Sequence, residues 1–320
     1  MLQATRIQVR ALNLSAYSTL KIILAPQEKI FGIPKDRITT AAFFDAVENN
    51  SVAKCLEGTR EDVLDKITEW VQDPSGEVIC WVHGPAGSGK STIARSIASR
   101  FSKRAATFAF SRNPPKIMTN KNFFPTIASQ LPVLVPSVGQ RMQTALDSDP
   151  HILSRDLSTQ LDRLILRPLC EQSSFNRKRT IILVVVDGLD ECNEGECQNL
   201  VDAISSSVQD KASPKPIRFL LFGRYEPAIR KKLHPPYCSL DLINFSANMS
   251  IRKYYKAEFI RVRWERGHLM EDVTEPWPDD NTLDKLVEKT EGLFIYASTL
   301  VRFVSNGTDL PQDLLQEALE

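Results

Sequence analysis

Residues that build metal and redox centres are scarce in this sequence. It holds four histidines and six cysteines, at 55, 80, 170, 192, 197 and 238, with no C-x-x-C pair. A structural zinc site needs four Cys or His ligands at short spacings, and Cys192 with Cys197, the one close pair, has no matching ligands nearby. Reduced thiols in an intracellular protein are therefore expected. An excess of either charge is also missing, since 40 basic residues stand against 39 acidic ones, a net charge of +1. No field of one sign exists to recruit nucleic acid or an anionic membrane surface. No apolar run approaches the ~20 residues of a membrane-spanning helix, and the N-terminus lacks the charged-apolar-small order of a secretory signal. Neither nucleic acid nor a membrane is an expected partner, and the cytoplasm is the expected location. Internal repeats and low-complexity tracts are absent too, which excludes solenoids and propellers.

What the sequence does contain is an ordinary globular composition, 42% hydrophobic and 25% charged over 320 residues. That is room for one large α/β domain and a smaller appendage. Within it stands Gly84-Pro85-Ala86-Gly87-Ser88-Gly89-Lys90-Ser91, which fits the phosphate-cradling pattern G-x-x-x-x-G-K-[ST]. Its glycines allow backbone N–H groups to approach phosphate oxygens. Lys90 supplies a point charge for the β- and γ-phosphates, and Ser91 offers a hydroxyl to Mg²⁺. Thr92 continues into a helix whose positive end faces the anion. The flanks agree: Val78 to Val82 reads as a buried strand, and Thr92 to Phe101 carries Ile93, Ala94, Ile97 and Phe101 at helical spacing.

Along the rest of the chain, residues 1–54 read as a partly disordered extension, with an apolar run at Leu12–Leu24 and a possible short helix at Ile38–Val47. Thr59 to Asp62 has capping-box spacing ahead of a helix carrying Val63, Leu64, Ile67, Trp70 and Val71. Strands are expected at 105–110, 180–186 and 217–222, with a fifth at 237–243, and helices at 123–131, after Pro136, around Leu157–Ile165 and at 198–208. From about 248 onward only helices are expected. Strand and helix alternation followed by helices alone predicts a parallel sheet of about five strands flanked by helices, with a small helical subdomain at 246–320.

A second motif supports the first. Asp187-Gly188-Leu189-Asp190-Glu191 ends an apolar, β-rich run, and open α/β sheets bind ligands at the carboxyl ends of their strands. Asp187 is placed to hold the hydration shell of Mg²⁺. Asp190 or Glu191 is placed to orient or deprotonate a water in line with the γ-phosphate.

The two motifs together resemble the NACHT class of STAND-type P-loop NTPases, most closely those of filamentous fungi. Further residues carry the likeness: Cys55 to Arg60 with Trp70, Phe124-Pro125-Thr126-Ile127-Ala128, and Gly292-Leu293-Phe294-Ile295-Tyr296-Ala297. The resemblance implies a core at 55–245 that binds ATP or GTP with Mg²⁺. Lys90 and Ser91 would grip phosphates and metal, Asp187 would complete the metal site, and Asp190 or Glu191 would serve as hydrolytic base. Arg224 matches a sensor position for the γ-phosphate, although Phe222-Gly223-Arg224-Tyr225 lacks the hydroxyl residues usual there. Thr59 and Arg60 would line the base pocket. The implied function is a slow nucleotide switch in signalling of the fungal innate-immunity or heterokaryon-incompatibility type, with homo- or hetero-oligomerisation among NACHT proteins. The alternative is a hydrolysis-poor scaffold that co-assembles with full-length relatives. Such switches continue into a winged helix and sensing repeats, so the chain reads as a nucleotide-handling core cut before them at Glu320.

Overall fold

Five runs rich in aliphatic and β-branched residues pair into one parallel sheet. The computed structural model describes residues 29–46, 53–111, 120–173, 181–208, 215–306 and 309–320. A short antiparallel hairpin, β1 (Lys29–Ile30) with β2 (Ile33–Pro34), comes first. The sheet strands are β3 (Ile79–His83), β4 (Ala105–Ala109), β5 (Ile182–Asp187), β6 (Ile217–Gly223) and β7 (Cys238–Asp241), in the spatial order β4-β5-β6-β3-β7. All four pairings are parallel. Every residue of β3, β5 and β6 is buried, as strands covered on both faces require.

Side chains alternate between the two faces, and a separate core forms on each. Ile79, Trp81, Phe108, Val184, Phe219 and Leu221 face one way. They pack against α3 (Phe123–Leu134), α4 (Pro136–Ser148) and α7 (Glu194–Val208), and against a helix that runs from α5 (Leu157–Leu161) through a π turn (Asp162–Leu166) into α6 (Arg167–Ser173). Cys80, Val82, Leu183, Val185, Leu220 and Phe222 face the other way, against α1 (Glu61–Gln72) and α2 (Lys90–Arg100). A short helix, α8 (Pro227–Lys232), links β6 to β7. The remaining helices, α9 (Asn248–Arg266), α10 (Asp280–Lys289), α11 (Phe294–Asn306) and α12 (Pro311–Leu319), close around Ile251, Tyr255, Phe259, Leu286, Val301 and Leu315. This third core draws only on residues from Ala247 onward; the helices form a lid beside the sheet.

Two local expectations are corrected. The helix foreseen at Ile38–Val47 is a single 3₁₀ turn, Thr40–Ala42, in a segment tied to the sheet edge. There the Thr39 N–H donates to Thr126 Oγ1 (2.9 Å) and the Phe44 N–H to Thr107 Oγ1 (3.2 Å). The apolar run at 12–24 lies outside the described residues. Thr59 does not cap α1: its hydroxyl donates to the Leu56 carbonyl at 2.6 Å, and Arg60, at φ +57°, occupies the cap position without a side-chain cap bond. The helix starts one residue later than the capping box requires, so Thr59 lies outside the cap position.

Candidate nucleotide-binding site

The strand order decides which residues meet. Because β6 lies between β3 and β5, the end of β6 opens into the space between the loop after β3 and the carboxylate ending β5. Residues 84–91, 187–191 and 224 are thereby gathered at one rim of the sheet.

The loop 84–91 turns from β3 into α2. Gly87 has φ +76°, and a Cβ there would stand 2.2 Å from a methyl of Ile295, so both conformation and space demand glycine. Lys90 folds back over its own loop, its Nζ donating to the carbonyls of Gly84 (2.9 Å) and Pro85 (2.7 Å). Burial lowers its pKa, while Asp190, Asp187 and Glu191 push it upward and Arg224 pushes it down. The ammonium therefore feels both carboxylate-bearing ends of the turn at 187–191 and the guanidinium of Arg224. Ser91 donates its hydroxyl to the Asp187 carboxylate, and burial raises the Asp187 pKa against that bond. The serine and aspartate assigned to a metal from sequence thus form a contact pair.

Gly188 must also be glycine: at φ +69°, an added Cβ would sit 2.8 Å from the Phe110 carbonyl oxygen. The turn it makes leads to Asp190, which is buried, whereas Glu191 is exposed. Asp190 accepts the Arg224 backbone N–H at 3.1 Å and pairs with the Arg224 Nε at 3.0 Å. The expected sensor cation and one of the two expected bases are therefore bonded to each other.

Thr59 and Arg60 stand beside the loop, both buried. Arg60 donates to the Ser88 carbonyl of the phosphate loop (2.9 Å) and to the Phe245 carbonyl (3.2 Å), with its guanidinium 5.1 Å from the centre of the Phe294 ring. Its backbone N–H donates to Ser250 Oγ at 2.8 Å. The side chain expected in a base pocket is joined to the loop, the linker after β7 and the lid.

Four residues at the site were not singled out by sequence. The Ile295 N–H donates to the Gly87 carbonyl at 3.1 Å, Phe294 lies 3.8 Å from the Cβ position of Gly89, and Phe245 and Ser250 hold Arg60. Phe294 and Ile295 fall within the stretch 292–297 quoted for the family likeness, which was the available signal. Phe245 and Ser250 carry no motif.

The donor set suits a triphosphate. The Ser88 hydroxyl is buried and unpartnered among the described residues, and the ammonium of Lys90 and the guanidinium of Arg224 share the rim with it. A metal here would rest on one hydroxyl, one carboxylate and phosphate or water oxygens, the pattern typical of Mg²⁺. A separate cavity of about 730 Å³, lined by Arg155, Thr159, Arg163, Arg167 and Lys215, includes no residue of the loop.

A model of the family described as Nephrocystin 3, N-terminal, matches residues 58–224, just over half of the chain. No curated protein matches. Among solved structures, a Walker-type ATPase of Pyrococcus abyssi is 13% identical, with 83% of this chain and 74% of that chain covered and a TM-score of 0.49. PCH-2 of C. elegans is 11% identical, with coverages of 87% and 72% and a TM-score of 0.44.

Proposed function

The chain belongs to the nephrocystin 3 N-terminal family as a NACHT-type P-loop NTPase, and on that premise we propose that it binds ATP or GTP with Mg²⁺ and hydrolyses it slowly, as a signalling switch. The observation that carries this is the convergence of Lys90, the Ser91–Asp187 pair and Arg224 at the ends of three adjacent strands. Backbone N–H groups of Gly87 to Ser91 and the N-terminus of α2 receive the phosphates. Lys90 exchanges its two loop carbonyls for phosphate oxygens. Mg²⁺, held by Ser91 and Asp187, would neutralise charge developing on the phosphates. Thr59 and Arg60 bound the end of the site nearest the lid, where the base would lie.

Asp190 and Glu191 divide the hydrolytic work. Asp190 is engaged with Arg224, so it positions that arginine, and the exposed Glu191 serves as base toward water. Arg224 turns to the γ-phosphate when a triphosphate competes for it, since Arg pairs with phosphate at least as well as with carboxylate. The signalling context carried by the resemblance, fungal innate immunity or heterokaryon incompatibility with assembly among NACHT proteins, belongs to this proposal.

Binding of a fluorescent ATP or GTP analogue tests it. Lys90→Ala should weaken binding at least ~100-fold, of the order lost with a key charge-stabilising group; undiminished binding sinks the nucleotide assignment. The Arg224–Asp190 pair and the seat of Ile295 on Gly87 favour a second reading, a hydrolysis-poor scaffold that co-assembles with relatives. Phosphate release separates the two. Glu191→Gln should cut the rate by ~100-fold or more, whereas no measurable wild-type rate supports the scaffold.

A further inference from the structure

Among the described residues β7 is an edge strand, paired with β3 alone, and the register sets Cys238 directly opposite Cys80. Paired residues of neighbouring parallel strands project from the same face, and both cysteines belong to the core against α1 and α2. The two thiols are hydrogen-bonded to each other. Neighbouring strands lie about 4.8 Å apart, within the Cα spacing of about 4.4–6.8 Å that disulfides bridge. The pair is asymmetric: Cys80 is fully buried and Cys238 is half-buried. Cys238, on the edge strand, keeps part of its surface toward solvent, and Cys80 keeps none.

We propose that Cys238 and Cys80 form a peroxide-responsive dithiol, with Cys238 the sulfur that reacts and Cys80 the one that resolves. The Cys238 thiolate attacks one oxygen of hydrogen peroxide; the S–O bond forms, the O–O bond breaks and hydroxide leaves. The Cys80 sulfur then attacks Cys238 sulfur, closing the S–S bond, and the sulfenic oxygen departs as water with the Cys80 proton. Two thiols lose two electrons and one peroxide gains them. The hydrogen bond from Cys80 lowers the Cys238 pKa and Lys66 assists, against burial and Glu77. Burial raises that of Cys80, so the outer sulfur ionises first, and the thiolate is the attacking form.

The bond would join two strands that matter to the site. β3 runs into the phosphate loop, and β7 runs through Leu242, whose Cβ stands 3.0 Å from the Cβ position of Gly84, toward the lid helix α9. On the opposite face His83 Nε2 and Ser239 Oγ are 3.1 Å apart, already tying the same two strands. The inference stands on the β3–β7 pairing and is independent of the nucleotide reading.

The test uses the full chain, reduced, desalted and titrated with hydrogen peroxide in native buffer, then alkylated and digested without reductant for mass spectrometry. A cross-linked Cys80–Cys238 peptide, lighter by two hydrogen atoms than its two halves, is expected, and glutathione should reverse it. Cys80→Ser should leave a sulfenic acid at Cys238 that dimedone traps, and Cys238→Ser, at the half-buried edge, should leave Cys80 as an unreacted thiol. Oxidation of the half-buried Cys55 or Cys170 while 80 and 238 stay reduced overturns the proposal. A cross-link that forms only in urea overturns it equally.

Discussion

Two arginines in this molecule are buried to the same degree, each with 3% of its surface exposed, and they lie at opposite ends of the sheet. Arg218, at the start of β6, donates to the carbonyls of Asp73, Gly76 and Glu77 and stands 5.4 Å from the centre of the Trp70 ring. All of its partners come from the end of α1 and the turn before β3. Arg60, at the other end, reaches carbonyls 28 and 185 residues away and an aromatic ring of the lid. Burial lowers both pKa values, yet a guanidinium stays charged in proteins and must be met by acceptors. The difference lies in ownership of those acceptors. Arg218 locks one turn at the start of the sheet, whereas Arg60 bridges the loop, the linker and the lid with a single side chain.

Three substitutions sharpen or break this contrast. Arg218→Met has the largest expected effect, about 3–5 kcal/mol of lost stability by urea unfolding, because three charge-assisted hydrogen bonds from a buried guanidinium and its contact with the Trp70 ring are lost together. Nucleotide affinity of the folded fraction should not change, and a selective loss of affinity would break the comparison. Arg60→Met should cost less, about 1–3 kcal/mol, but its effect should be local to the junction. Hydrogen exchange should rise at 86–89 and 292–297 and stay constant in β6; uniform change across the sheet would make Arg60 another staple. Asp187→Asn should have the smallest effect on the ligand-free fold. A carboxyl whose folded pKa is raised contributes stability at low pH that is lost as the pH climbs through the carboxylate range. At neutral pH its neutral isostere therefore removes a cost, and the melting temperature without ligand should be no lower than wild type. Mg²⁺-dependent nucleotide binding should nonetheless fall by ~10-fold or more.

The ends of this contrast were not equally legible in the sequence. The loop 84–91 and the turn 187–191 were, because glycine at a positive φ and a carboxylate after a buried strand are local demands written in adjacent residues. The five strands and the lid helices were legible from hydrophobic runs and helical spacing. The order of the strands was not, and it is what places Arg224 against Asp190. Arg60 and Arg218 were opaque for the same reason: a buried cation declares itself by its acceptors, and those of Arg60 lie as far as 185 residues along the chain. Thr59 misled because a threonine three residues before an acid suits a capping box, while the helix begins one residue later, with Arg60 at the cap position.

The peptide between Gly87 and Ser88 serves two clients. Its carbonyl accepts the Ile295 N–H from the lid, while its N–H, which donates to the Pro85 carbonyl at 3.4 Å, belongs to the row that a phosphate would use. A peptide plane cannot turn one end without turning the other, so an anion that reorients this plane disturbs the seat of Ile295, and a lid pressed onto Gly87 fixes the pose offered to the anion. Linkage makes the effect reciprocal: the factor by which a bound phosphate loosens the lid is the factor by which a clamped lid weakens the phosphate. With a phosphate in the loop, that one rigid amide would carry its occupancy to the helices above it.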